Sequence, residues 1–205
     1  MPRDKSESHI RVNQAIREEF LSKGFEGASI REIGKKAGMT SAGLYRHYAD
    51  KDMMFDSVVK PLIDEIDAWF EHHKESKYDL VSKNAEKDAL IGESAVDLIK
   101  EVILPKKQEF KLLLTGAKGS KYENFVHDFV EKGQKEILVA ISCMKESGYP
   151  AADIEEEELH VLLSAYITAM LETIVHDYND DRIRKYLDRI NEFFMPGWLK
   201  IMGLS

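Results

Sequence analysis

Residues 10–50 alternate so tightly between capping residues, glycines and apolar positions at helical spacing that they leave room for three short helices and little else. Val12, Ala15, Ile16 and Phe20 recur along Ile10 to Lys23, and Gly24 follows as a C-terminal cap before Phe25. Ser29 and Glu32, three residues apart, form a capping-box pattern ahead of Ile33 and Ala37, and Gly38 closes that segment. Thr40 or Ser41 caps a third helix through Tyr48, and Asp50 caps a fourth that runs from Lys51 into the seventies. Pro61, which has no backbone donor, predicts a kink inside it or a change of packing partner there.

The rest of the chain continues in helices. "EHHKESKYD" reads as a loop, and a helix from about Ala85 to Leu104 stops at Pro105. Lys106 to Thr115 is a short helix closed by "GAKGSK", and Lys121 to Glu146 a long one ended by "SGYP". Asp153 with Glu156 repeats the capping-box pattern, and the last helix covers Asp181 to about Met202, bent at Pro196. With only 5 Pro and 12 Gly in 205 residues and 43% hydrophobic residues, the expectation is an all-α protein with a real core. The single cysteine, Cys143, makes no internal disulfide, and the first residues lack the apolar stretch of a secretory signal. Val161 to Val175 is interrupted by Glu172 and is shorter than the roughly 20 residues a bilayer crossing needs. These features predict a cytoplasmic protein with no membrane partner.

Two short helices around a glycine-containing turn match the helix-turn-helix, whose second helix enters the DNA major groove. Ile33, Ala37, Leu44 and Tyr48 point inward on that reading, while Thr40, Ser41, Ala42, Tyr45 and Arg46 face out. Small residues let the helix approach base edges, and hydroxyl, imidazole and ammonium groups can hold phosphates on either side. Charge agrees: the first fifty residues carry nine Lys and Arg against seven Asp and Glu, although the whole chain has a net charge of −8. A weakly basic head on an acidic body keeps a polyanion docked at one end.

Enzyme chemistry has little to stand on. "TGAKGSK" lacks the spacing of a phosphate-binding loop and fits a helix end better. His72 and His73 diverge by about 100° on a helix, and His127 with Glu131 supplies only two ligands, so no metal or other cofactor is expected. Cys143 has no local nucleophile pattern around it.

The stretch "GFEGASIREIGKKAGMTSAGLYRHYADKD" resembles the DNA-binding segment of the tetracycline-repressor-like (TetR) family of bacterial transcription regulators, over roughly residues 9 to 59. Position by position, the resemblance implies that Tyr45, His47 and Lys51 contact phosphates, and that Arg31, Thr40, Ser41, Ala42 and Gly43 face base edges or the backbone beside them. Where many members carry Phe, this chain has Tyr48, whose added hydroxyl must find a partner. The implied organisation is a three-helix DNA-binding domain over residues 1–52, with the connecting helix beginning near 51. A larger helical domain over 53–205 would bind ligand and dimerise.

The implied activity is repression at a roughly palindromic double-stranded operator, relieved by an apolar or amphipathic small-molecule effector. The competing reading is a helical sensor or adaptor that acts through a protein partner. Trp69, Phe110, Phe125, His127, Phe129, Tyr166 and Met170 are the candidate ligand contacts, aromatic or soft residues with one polar group, as an apolar pocket needs. "VLLSAYITAMLETIV" is apolar nearly all round and must be covered on two sides. Ile183, Leu187, Ile190 and Phe194 recur at three- to four-residue steps, the stripe expected of a homodimer interface.

Overall fold

The computed structural model describes residues 5–82 and 95–203, with side chains from 8 to 72 and from 95 to 203. Among them the regular structure is helical throughout. The order is α1 (Lys5–Gly27), α2 (Ile30–Ala37), α3 (Ser41–Leu44), α4 (Lys51–Ser82), α5 (Ala95–Leu98), α6 (Lys107–Thr115), α7 (Phe125–Glu146), α8 (Glu156–Val175) and α9 (Asp180–Ile201). A π turn, Ile99–Ile103, and a 3-10 turn, Leu104–Lys106, carry α5 on toward α6. The wide turn sits just before Pro105, which has no N–H to continue an α-helical ladder.

Several boundaries differ from the sequence reading. α4 contains the exposed Pro61 as expected, but continues through residues 71–79, read above as a loop. That segment lacks an apolar period but is rich in Glu and Lys and contains neither Gly nor Pro, so nothing in it breaks a helix. α9 contains the exposed Pro196 and has nearly the expected bounds. α7 starts at Phe125 rather than Lys121, because Tyr122 N–H donates to Ser120 Oγ at 3.1 Å in a turn before it. Asp153 does not cap α8: Glu155 holds the cap position, and Asp153 bonds the Lys145 ammonium instead. The expected helix start near Ala85 lies outside the described residues.

Two compact units divide the chain, one formed by residues up to Asp64 together with Lys106–Phe125, the other by Glu65–Pro105 and Val126–Ser205. In the first unit Val12, Ile16 and Phe20 of α1 are buried with Ile33, Leu44, Met54, Phe55 and Phe110. Phe55 meets Phe20 and Phe25 edge-on at 5.0 and 5.3 Å between ring centres, a favourable aromatic geometry. α6 joins this head to α1: Arg17 donates from Nε and Nη2 to Glu109 Oε1 at 2.8 and 2.6 Å, and Phe25 N–H donates to Gly116 O at 2.7 Å. Gly24 breaks α1 with φ 67°, and a Cβ there would lie 3.1 Å from Gly116 O. Both the left-handed backbone and the close approach require glycine.

In the second unit α8 and α9 supply about half of the buried apolar residues. Leu159, Leu163, Tyr166, Ile167, Met170 and Ile174 are buried on α8, and Ile183, Leu187 and Trp198 on α9. Met144 of α7 closes one end with Cys143, Tyr149, Leu199 and Met202, and Lys100 pairs with Asp188 between the π turn and α9. α8 reaches 20 residues and by length and composition alone could cross a membrane, yet the residues just named are buried in this unit.

Candidate nucleic-acid interface

The head is built from local caps that place a row of polar side chains outward. Ser29 Oγ accepts the Glu32 N–H at 3.5 Å and starts α2. Its reciprocal half is not supplied by Glu32: Glu19 of α1 takes the Ser29 N–H on Oε1 at 3.3 Å and the Lys36 ammonium on Oε2 at 2.8 Å. Glu19 is 3% exposed, so its charge is sealed among these two donors. The Lys36 hydrogen bond holds its carboxyl below the ordinary 4.5, against the opposing effect of burial. α2 ends at Gly38 in the left-handed region, φ 68°, and Met39 N–H returns to Gly34 O at 2.9 Å. That turn passes so close that a Cβ on Gly34 would lie 2.8 Å from Met39 O.

Thr40 Oγ1 then accepts the Gly43 N–H at 3.1 Å, and α3 is a single turn, with Arg46, His47 and Tyr48 following in further turns rather than in a helix through Tyr48. Asp50 Oδ1 accepts the Met53 N–H at 2.7 Å and begins α4. Leu44 and Ile33 are fully buried and Ala37 nearly so, which pins the inner face.

Around that face Arg31, Thr40, Ala42, Tyr45, Arg46 and His47 are exposed, while Ser41, Gly43 and Lys51 are half-buried. The ammonium of Lys51 sits 4.8 Å from the centre of the Phe25 ring and donates to Glu26 O at 3.4 Å, so its position is set by the end of α1. His47 meets His9 of α1 edge-on at 4.7 Å. The Tyr48 hydroxyl has its partner: it donates to Asn13 Oδ1 at 2.7 Å. Tyr48→Phe is expected to lower stability by about 0.5–1.5 kcal/mol in chemical denaturation, as one net hydrogen bond is worth, while leaving the helical signal unchanged.

His9, Asn13 and Glu19 were not singled out in the sequence. For Glu19 a signal existed: it is three residues after Ile16 in the apolar row of α1, a charge on a core face.

The candidate ligand contacts are divided between the two units. Phe110 and Phe125 pack on each other at 5.8 Å in the first unit, whereas Trp69, His127, Phe129, Tyr166 and Met170 belong to the second. There Trp69 meets Phe70 at 5.5 Å and Phe70 meets Phe129 at 5.9 Å. His127 is exposed, 3.3 Å from Glu131. Tyr166 donates to Asn191 Oδ1 at 3.2 Å, and burial pushes its hydroxyl up to about 12. Met170 is buried. Among the described residues no three His, Cys, Asp or Glu side chains come together as a metal site requires.

The stripe expected at a dimer interface lies largely on the inner face of its own unit. Ile183 and Leu187 are fully buried within their own chain, and Ile190 and Phe194 are half-buried, with Phe194 5.1 Å from Tyr166. Apolar residues left open on α8 and α9 are Val161, Leu162 and Phe193.

Comparison with known proteins agrees with this geometry. Residues 14–58 match the family described as bacterial regulatory proteins, tetR family. Similar solved structures include a TetR-family transcriptional regulator from Streptomyces coelicolor, at 17% identity over 95% of this chain and 90% of that one, with a TM-score of 0.55. PfmR from Thermus thermophilus shares 16% identity over 88% of this chain and 96% of its own, with a TM-score of 0.52. NalD from Pseudomonas aeruginosa shares 15% over 95% and 97%, with a TM-score of 0.50. At these identities the structural likeness is one of fold. Residues 14–58 thus carry the likeness to bacterial tetR-family regulatory proteins, and the chain as a whole shares the helical fold of these solved regulators.

Proposed function

We propose that this protein is a cytoplasmic repressor that holds a roughly palindromic operator as a homodimer and leaves it when an apolar or amphipathic small molecule binds. Residues 1–52 act as the DNA-binding head and the remainder as the regulatory and dimerising part. The observation that carries the reading is the exposed row Arg31, Thr40, Ala42, Tyr45 and His47 around the buried Ile33, Ala37 and Leu44. Such a row presents small groups and hydrogen-bond donors to a groove and cations to its phosphate walls. NalD, described as the secondary repressor of a multidrug efflux pump, has a similar fold and supports repression as the mode. For the dimer, the support is the open apolar surface of Val161, Leu162 and Phe193 on the last two helices. Two heads so joined must enter successive major grooves about 34 Å apart, so a ligand that alters their spacing weakens binding.

The test is selection of bound fragments from a random DNA pool, followed by titration of two variants on the selected site. Lys51→Ala is expected to weaken all sequences alike and to flatten the salt dependence by about one phosphate contact. Arg31→Ala is expected to relax preference at one base pair, by roughly 1–3 kcal/mol. Failure to enrich any sequence, or equal loss of preference in both variants, would overturn the assignment.

A further inference from the structure

We propose that the first unit carries a site of its own for a small organic anion, in the cleft between the end of α1 and α6. The cleft has a volume of about 540 Å³, within the range of small-molecule sites. Leu21, Phe25 and Leu112 give it an apolar lining, and Lys23, Lys111 and Lys118 also line it. Its one carboxylate, Glu26, lies 3.5 Å from the Lys118 ammonium. A cleft lined by three lysines and one carboxylate, in a chain of net charge −8, favours anions by its local field rather than by the field of the whole molecule.

The walls are held in place. Phe25 N–H donates to Gly116 O at 2.7 Å, and a Cβ on Gly116 would lie 2.7 Å from Leu112 Cδ1 and 3.2 Å from Gly24 Cα. The lining therefore meets at a glycine-to-glycine contact that side chains cannot enter, and the space stays open beside it. The chemistry that fits is an aromatic or branched apolar body bearing one carboxylate, sulfonate or phosphate group: the body covers Leu21, Phe25 and Leu112, and the anionic group meets the lysines.

Occupancy has a consequence for Lys51, because Phe25 and Glu26 both line the cleft and hold that ammonium, through the ring at 4.8 Å and the carbonyl at 3.4 Å. A bound anion draws Lys118 away from Glu26, and its own charge together with the released carboxylate competes with a DNA phosphate for Lys51. Anion binding then weakens operator binding, and operator weakens anion binding by the same factor. This consequence rests on the DNA-binding reading above; the site itself does not.

The experiment titrates the full-length protein, without DNA, with 8-anilinonaphthalene-1-sulfonate and with N-phenyl-1-naphthylamine, which has the same rings and no sulfonate. Fluorescence gives affinity and ¹⁵N amide shifts give location. With the sulfonate, the Gly24, Phe25 and Gly116 amides are expected to shift. Converting Lys23, Lys111 and Lys118 together to Gln should raise the sulfonate Kd at least tenfold and change the naphthylamine Kd less than twofold. Thr115→Trp, which fills the cleft and keeps every lysine, should weaken sulfonate binding as well, so the result does not hang on one variant's folding. Shifts confined to the second unit, or an unchanged sulfonate Kd in both variants, would overturn the site. Operator titration with and without the sulfonate is the separate arm: a protein that binds the sulfonate at these amides but shows equal operator affinity retains the site and loses only the link to Lys51.

Discussion

Leu187→Glu is expected to unfold the second unit, whereas Phe193→Glu should leave it folded and separate the proposed dimer. The two residues lie six positions apart on α9, but Leu187 is 0% exposed and Phe193 is 79% exposed. A carboxylate at Leu187 would enter a space packed by apolar side chains with no partner for its charge, at a cost of about 4 kcal/mol or more. That is a large fraction of the roughly 5–15 kcal/mol that holds a typical domain together. Loss of the cooperative transition in thermal circular dichroism is the expected signature. At Phe193 the same carboxylate stays in water in the isolated chain, so single-chain stability should change by no more than about 0.5 kcal/mol. Across a subunit contact it would be desolvated, and sedimentation at micromolar concentration should show monomer. A Leu187→Glu protein that melts cooperatively as a monomer would instead return the seam to the Ile183 and Leu187 row.

Glu19→Ala should destabilise the head by about 2–3 kcal/mol, an outsized effect for a charged residue on a surface-type helix. Two losses add: the Ser29 N–H at the start of α2 loses its acceptor, and the Lys36 ammonium loses the carboxylate at 2.8 Å. Lys36 is 39% exposed and can turn to water, which keeps the cost below that of a fully buried pair. Glu19→Gln separates the contributions, since an amide oxygen can still accept from Ser29 but carries no charge.

The pH dependence has a definite sign. Because the folded carboxyl titrates below its ordinary 4.5, the ion pair stabilises fully above that value, and the stabilisation is lost as pH falls through the folded value. Lys36, raised above 10.5 by the same partner, loses its share only as pH rises through its own folded value, so neutral pH lies inside the stable window. Denaturant titrations at neutral pH and below 4.5 should therefore show wild type losing more stability on acidification than Glu19→Gln. Equal acid sensitivity would mean the pair is not formed.

Local chemistry made most of the head legible. Ser29, Thr40 and Asp50 cap helices within three residues of themselves, and hydrogen bonds of that reach are written into residue spacing. The inward set of Ile33, Ala37 and Leu44 follows for the same reason, since helical geometry alone sorts a face. The matching outward row could be named residue by residue from its resemblance to a known family.

Contacts between distant residues were not legible. The acceptor for the Ser29 N–H comes from ten residues upstream, where Glu32 looked equally suitable, and the choice depended on how α1 lies across α2. Nothing in "GAKGSK" announces that Gly116 meets Gly24, or that Glu109 holds Arg17 from 92 residues away. The same limit explains the apolar stripe of α9. A three- to four-residue repeat states that a helix buries a face, but the packing energy is the same whether the cover is α8 of its own chain or a second copy, so only the tertiary placement assigned Ile183 and Leu187 to the core and left Phe193 in the open.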